Sequence, residues 1–354
     1  MKPHLHILSN PHGITDPIYR MEPFNILVHK MITNMLPLGY EITHYGHELS
    51  QVPCTNVPVV HSNEVYPRGQ DDLFAHNFGI IKIFCRRARE ELLKRYRPGD
   101  LILCFYGNDN RDAVEGIPNA IVIEPSIGYN CESVFADYRV FTSYAQMHYF
   151  YGLKKMLHNP SWNDAVIHNA ITPSEFEFSD RKDDYFLYLG RISPDKGIQV
   201  AIQATQYTGK RLIIAGPGNL QDLNYHTVPD HVTMFGYADV HQRKKLLRDA
   251  RALIAPTYYI EPFGNIVAEA LMSGTPVITT DWGGFVDSNV DGLTGYRARD
   301  FIGFVNAIEN IGEISNQDCR DWAMENFSEQ AVHAKFDQYF QRIAAGSFYH
   351  GTNL

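Results

Sequence analysis

Between Ala255 and Thr280 the chain reads APTYYIEPFGNIVAEALMSGTPVITT. An apolar run ends at Ala255. A polar loop with Glu261, Pro262, Phe263 and Gly264 follows, and an amphipathic stretch from Asn265 to Ser273 stops at Gly274, a residue suited to the left-handed turn that ends a helix. Pro276–Thr279 is then a second short apolar run. Strand, loop, helix and strand in this order predict a parallel βαβ unit covered on both faces. Gly264 lets a ligand approach the backbone closely. The amide end of the helix behind it favours a phosphate or another polar oxygen. Glu261 lies in the loop and Glu269 about one turn inside the helix, and carboxylates accept hydrogen bonds from sugar or ribose hydroxyls. An isolated Glu269 would read as a helix-surface charge. Its eight-residue offset from Glu261 around Pro-Phe-Gly favours the binding reading.

The same alternation extends outward in both directions. Tyr185–Leu189, Arg211–Ala215, Val232–Phe235 and Ala252–Ala255 read as strands, with helices over Gly197–Thr205, His241–Asp249 and Phe301–Ile311. The first half repeats the pattern. Its strands are Leu5–Leu8, Glu41–Tyr45, Asp100–Tyr106, Ala120–Glu124 and Tyr138–Phe141, with helices near Met21–Met35, over Phe78–Tyr96 and from Thr142 or Ser143 to about Tyr151. The polar join near Ile171–Asp184 separates the two series. The expectation is an α/β chain of two Rossmann-like domains: an N-terminal one over 1–172 and a C-terminal one over 173–327. Ser328–Ala345, with Ser328 as N-cap, opens a C-terminal helical segment (328–354) that packs back on the first domain.

Length and charge agree with this division. The chain has 354 residues, enough for two domains. It carries 31 Lys+Arg against 40 Asp+Glu, a net charge of −9. Residues 1–172 hold 15 basic and 17 acidic side chains, and the remainder hold 16 and 23. Neither half has the basic balance that nucleic-acid affinity needs. Five widely spaced cysteines without a C-x-x-C pair fit reduced thiols in the cytoplasm. No apolar run approaches the ~20 residues of a membrane span, and the histidine- and proline-broken N-terminus does not read as a signal peptide.

Two further segments point to an anion site. In LGRISPDKG, Leu189–Gly197, the cations Arg191 and Lys196 follow an apolar strand and precede a helix. That placement at the end of an α/β strand suits a diphosphate, although as isolated residues both would read as solvated charges. In LIIAGPGN, Leu212–Asn219, Gly216 and Gly218 make a turn signal that lacks the third glycine of a dinucleotide fingerprint.

From about His168 to Asp300 these segments resemble glycosyltransferase family 4, a large group of retaining sugar-nucleotide transferases with the GT-B fold. The resemblance rests on Glu261…Glu269 within EPFGNIVAEALMSGTPVI, on the GR-x4-KG element at Gly190–Gly197, and on GG-x-V-x4-DG-x-TG from Gly283 to Gly295. Asp287 stands where the last element usually has glutamate. His168-Asn169-Ala170-Ile171-Thr172 is similar to the family's N-G-I-D join, with Ala170 and Thr172 as departures.

The resemblance implies a GT-B chain whose two parallel sheets face across a cleft. It also implies a metal-independent hexosyltransferase whose donor substrate is a UDP- or GDP-sugar and whose acceptor is a glycan or lipid-linked hydroxyl. Arg191 and Lys196 would hold the diphosphate, Glu269 the ribose, and Glu261 hydroxyls of the transferred sugar. Backbone amides of Phe263, Gly264, Asn265 and Ile266 would cradle sugar and phosphate, and Gly236-Tyr237-Ala238 would line the base. Gly190 and Gly216 join this donor-binding set, and Gly13, in the Asn10–Thr15 loop, would approach the diphosphate from the first domain. Many relatives carry a histidine where this chain reads IVIEPSIGYN, so Glu124 or Ser126 occupies that neighbourhood. Glu124 is assigned to acceptor or sugar contact, beside the reading of a charge that closes a strand end. Two other readings of the same scaffold are a sugar-nucleotide epimerase or glycoside phosphorylase, and a non-catalytic binding protein. The four intact side chains Arg191, Lys196, Glu261 and Glu269 argue against the last.

Other signals carry less. His4/His6 and His44/His47 have metal-like spacings without an acidic or cysteine partner in sequence, so no metal site is assigned. Asp71-Asp72 is not a D-x-D pattern. Residues 82–97 (KIFCRRAREELLKRYR) hold seven basic side chains against Glu90 and Glu91. Such a helix can lie on the inner, anionic membrane face, but a solvated helix face is the favoured reading.

Overall fold

In the computed structural model, which describes residues 2–17, 23–62 and 78–346, short apolar runs become parallel strands with helices between them. The chain divides into two compact units. One contains Met1–Thr142, Met147–Ala170 and Val332–Leu354, and the other Ser143–Gln146 and Ile171–Ala331.

The first unit is built on a seven-stranded parallel sheet. Its strands are β1 (Leu5–Leu8), β2 (Ile42–His47), β3 (Thr55–Val60), β4 (Leu101–Cys104), β5 (Ile121–Ile127), β6 (Tyr138–Phe141) and β7 (Ala165–Val166), in the order β3-β2-β1-β4-β5-β6-β7. Its helices are α1 (Pro23–Met35), α2 (Phe78–Arg95), α3 (Asn108–Val114) and most of α4 (Tyr144–Leu153). Every residue of β1 and β4 is buried, because helices cover both faces of the sheet. The strands β3 and β7 and the helix α3 are not among the expected elements. Pro58 inside TNVPVV obscures the strand signal, and β3 sits at the sheet edge, where a proline is tolerated.

The second unit has a six-stranded parallel sheet. Its strands are β8 (Phe186–Leu189), β9 (Leu212–Ala215), β10 (Val232–Gly236), β11 (Ala252–Ala255), β12 (Val277–Thr280) and β13 (Gly295–Ala298), in the order β10-β9-β8-β11-β12-β13. Between them run α5 (Ile198–Tyr207), α6 (Val240–Asp249), α7 (Asn265–Met272) and α8 (Phe285–Ser288), followed by α9 (Phe301–Asn310) and α10 (Asn316–Phe327). A capping box of Asp239 and Gln242 starts α6, and Asp300 and Ser315 cap α9 and α10.

The last helix, α11 (Glu329–Ala344), starts where Ser328 Oγ accepts the Ala331 N–H at 3.2 Å. Its stripe of Val332, Phe336, Tyr339, Phe340 and Ile343 is buried in the core of the first unit with Leu5, Ile7 and Leu101. Asp337 on its polar side accepts from Lys2 and Tyr40, each at 2.7 Å. Met21 of the expected first helix, the pair Asp71-Asp72 and residues 347–354 lie outside the described residues.

The basic helix α2 uses its apolar side within its own unit: Ile80, Phe84, Cys85, Ala88 and Leu92 are core residues. Glu91 pairs with Lys94 and Arg95, and Arg87 donates to the Val59 carbonyl. Its charged side chains thus pair along the helix and with β3, while Leu93 of the same helix is exposed. No helix among the described residues is long and apolar enough to cross a membrane.

Candidate donor site

In the second unit the chain order reverses between β8 and β11: β9 and β10 extend the sheet to one side, β12 and β13 to the other. The carboxyl ends of two such strands leave a crevice, the usual place for a ligand in an open α/β sheet. A cavity of about 300 Å³ occupies it. Tyr188, Leu189, Gly190 and Arg191 enter from the end of β8, and Ile254, Ala255 and Thr257 from the end of β11. Lys196, Glu261, Gly264, Asn265 and Ile266 complete the lining.

Of the residues singled out from sequence, Gly190, Arg191, Lys196, Glu261, Gly264, Asn265 and Ile266 therefore share one cavity. Lys196 Nζ donates to Glu261 Oε2 at 2.8 Å and to Tyr259 Oη at 2.5 Å, and Tyr259 Oη donates to Glu261 Oε2 at 2.5 Å. An ammonium has three donors, so this triangle leaves one for a ligand. Burial, and then the Glu261 carboxylate, push the Tyr259 phenol well above its ordinary range, so it remains a donor at neutral pH. Arg191 is exposed and has no ion-pair partner among the described residues, and Tyr188 Oη steadies it by donating to its carbonyl at 2.6 Å.

Glycine geometry explains the motif spacing. Gly264, at φ +83°, is the N-cap of α7 and brings no capping side chain, so the amide end of that helix opens on the cavity. A Cβ there would strike the Phe285 ring. Gly283, at φ +65°, lies against the Glu261 backbone, where a Cβ would come within 2.8 Å of its nitrogen. At Gly284 it would come within 2.6 Å of the Phe263 Cα, and the Gly284 N–H donates to the Glu261 carbonyl at 2.6 Å. The two glycines thus let the Glu261–Gly264 loop pass directly over them and fix where Glu261 sits.

The remaining expected residues of this unit do not line this cavity. Glu269 is buried in α7 and paired with Arg243 of α6, a partner invisible in sequence because 26 positions separate them. Phe263 is a core residue, its ring 5.4 Å from that of Phe327. Gly216 packs on the Gly190 backbone and donates to the Gly236 carbonyl at 2.8 Å, which continues the same carboxyl edge toward β10. Tyr237 is exposed, with Ala238 beside it. Sequence reasoning missed Tyr259, Thr257, Tyr188 and Arg243. Only the adjacency of Tyr259 to the glutamate loop could have marked one of them.

Gly13 and Glu124 belong to the first unit. Gly13 is buried in the turn after β1, where the Asn10 side chain accepts the His12 N–H at 2.7 Å. Glu124 is fully buried: Oε2 accepts the N–H groups of Phe135 and Ala136 at 2.9 and 2.7 Å, and Oε1 accepts from Tyr129 at 2.8 Å. Burial raises its carboxyl above the usual range. With both oxygens occupied, Glu124 fastens the loop after β5, and it does so from the middle of that strand rather than from its end, because β5 runs on past the expected stop to Ile127. Ser126, its alternative, sits at φ +61° in the same strand.

Residues 172–318 match the family described as Glycosyl transferases group 1. This interval holds every cavity-lining residue. Among curated proteins, a glycogen synthase of Mycobacterium tuberculosis is 32% identical over 162 residues, which cover 41% of this chain and 39% of that protein. The chain thus spans about two fifths of the length of such relatives. Among solved structures, sucrose-phosphate synthase from Thermosynechococcus elongatus superposes with a TM-score of 0.71 at 18% identity, covering 98% of this chain and 100% of that one. Anabaena Alr3699/HepE, solved with UDP and glucose, superposes with a TM-score of 0.66 at 13% identity, covering 96% and 99%. The fold is GT-B: two Rossmann-like domains, each on a parallel sheet.

Proposed function

We propose that the protein is a retaining glycosyltransferase of the family 4 type that moves a sugar from a nucleoside-diphosphate sugar to a hydroxyl of a glycan or lipid-linked acceptor. The observation that carries this reading is the gathering of Arg191, Lys196, Glu261 and the amide end of α7 around one cavity at the reversal point of the sheet. The group 1 match over the same residues supports it. The neighbour solved with UDP and glucose supports a nucleotide-linked sugar as donor.

The chemistry follows from the charges. Breaking the anomeric C–O bond builds positive charge on the sugar and negative charge on the departing diphosphate. Arg191, Lys196 and the start of α7 are placed to hold that negative charge, an electrostatic contribution that needs no metal. Glu261 accepts from hydroxyls of the sugar, and Glu269 from those of the ribose. The acceptor oxygen forms the new bond on the face the diphosphate leaves, and its proton passes to a diphosphate oxygen. No protein nucleophile is required, and Glu124, saturated by its own loop, takes no part in the step.

A thermal-shift panel of UDP-, GDP- and ADP-sugars tests the donor, since a ligand at 100 times its dissociation constant stabilises by ~2.7 kcal/mol. The sugar nucleotide that shifts the protein is then supplied with hydroxyl acceptors, and the anomeric configuration of the product is read by NMR. Retention in an acceptor-dependent product is expected. Absence of a shift with every sugar nucleotide, or release of a rearranged sugar without acceptor, refutes the reading.

A further inference from the structure

No acidic residue accompanies His4 and His6 in the linear sequence. The fold supplies one. Parallel pairing of β1 with β4 puts Leu5 beside Leu101, so His4 and Asp100 precede neighbouring strands, and Leu101 N–H donates to the His4 carbonyl at 2.9 Å. We infer that His4, His6 and Asp100 form a binding site for a divalent cation of the zinc class, at the amino end of the first unit's sheet.

One ligand atom from each of the three residues lies within 4.8 Å of the others, the one such group among the described residues. His6 Nε2 and Asp100 Oδ2 are 3.4 Å apart, long for a hydrogen bond. Two ligands about 2.05 Å from a tetrahedral zinc stand about 3.3 Å from each other, so the pair is already spaced as two such ligands. His4 and His6 project from the same side of the strand, two residues apart, and their rings stack at 4.3 Å. The site is held from behind as metal-ligating histidines usually are. His6 Nδ1 is 2.9 Å from Tyr45 Oη, and His4 Nε2 is 2.9 Å from Thr43 Oγ1. Asp100 Oδ2 also accepts the Arg97 N–H at 2.8 Å, which fixes the carboxylate.

His6 is fully buried. Arg95 is the nearby charge that opposes a cation, and its guanidinium is paired with Glu91. Glu41 Oε1 lies 3.8 Å from His4 Nδ1, on an exposed side chain able to move in as a fourth ligand where water does not. Ligands in α/β sheets bind at the carboxyl ends of strands. This group is at the opposite end, so the ion would tie β1 to β4 and take no part in transfer.

The test uses full-length protein stripped with chelator, then dialysed against zinc chloride and measured for bound metal and thermal midpoint. Wild type is expected to hold about one zinc per chain and to gain thermal stability. His4→Ala and Asp100→Asn should bind at least about tenfold more weakly and gain nothing. Cobalt(II) substitution should give the intense visible absorption of a tetrahedral site in wild type and lose it in both variants. Asp100→Asn preserves the acceptor for Arg97, so it separates lost ligation from lost folding, and circular dichroism checks both variants. Failure of wild type to bind zinc, or an undiminished ion in the two variants, overturns the inference.

Discussion

Lys196 and Glu261 meet at 2.8 Å beneath the hydroxyl of Tyr259, which bonds to both. The cation proposed for the diphosphate and the carboxylate proposed for the sugar are therefore one mechanical unit. Glu261→Ala should leave the fold intact and lower transfer by about 100-fold or more, the scale of losing a charged contact in a transition state. Tyr259→Phe should keep donor binding and lower kcat/KM by about tenfold, the scale of a hydrogen bond to charged groups. Steady-state kinetics with the donor identified in the thermal-shift panel decide both. Near-normal turnover in Glu261→Ala and Glu269→Ala together would refute the assignment.

Arg191 is exposed and unpaired among the described residues, whereas Lys196 is held. Arg191→Ala should therefore cost mainly phosphate affinity. Nucleoside-diphosphate binding is expected to fall about 10- to 100-fold, while binding of the free nucleoside is unchanged. Isothermal titration with the two ligands separates these outcomes, and an equal loss for both would place Arg191 away from the phosphates.

Glu269 is buried and reached by Arg243 from α6. If its carboxylate takes ribose hydroxyls, Glu269→Gln should weaken nucleoside-diphosphate binding by about tenfold and leave inorganic pyrophosphate binding as it was. A parallel loss of pyrophosphate binding would make Glu269 a support for α7 rather than a ribose contact.

Gly283→Ala should destabilise the second unit by about 1–3 kcal/mol, because a left-handed φ and a Cβ 2.8 Å from the Glu261 backbone act together. Transfer should fall further than the loss of folded protein explains, since the displaced segment carries Glu261. Urea unfolding and the activity of the folded fraction measure the two effects separately. Activity that tracks folded protein alone would mean that the loop recovers its position.

His44 is fully buried between Asn56 Oδ1 at 2.8 Å and Thr15 Oγ1 at 3.0 Å, and burial lowers its pKa from 6.5 to about 4. Between those values the unfolded chain binds more protons than the folded one, so stability rises with pH across the window and falls on acidification. Between pH 7 and pH 5 this single group removes about 2 kcal/mol. Urea unfolding at the two pH values should show that loss in wild type and a smaller one in His44→Asn. Equal losses would assign the acid sensitivity to other groups.

The linear sequence by itself determined the fold class and most of the lining of the candidate cavity. Parallel strands buried on both faces are continuous apolar runs, and YFLYL, RLIIA and ALIA declare themselves without any partner. Arg191, Lys196, Glu261 and Gly264 were legible because each stands at a strand end or helix start, where chain order places residues close together. What only tertiary structure decided are relationships across strands and helices. Arg243 reaches Glu269 over 26 positions, Asp100 reaches His6 over 94, and Gly283 receives the Glu261 backbone over 22. Glu124 reads as a free strand-end charge until the returning loop brings the amides of Phe135 and Ala136 onto it. Local periodicity records which face of an element is buried, but the sheet order sets which residues meet, and that order is a property of the whole chain.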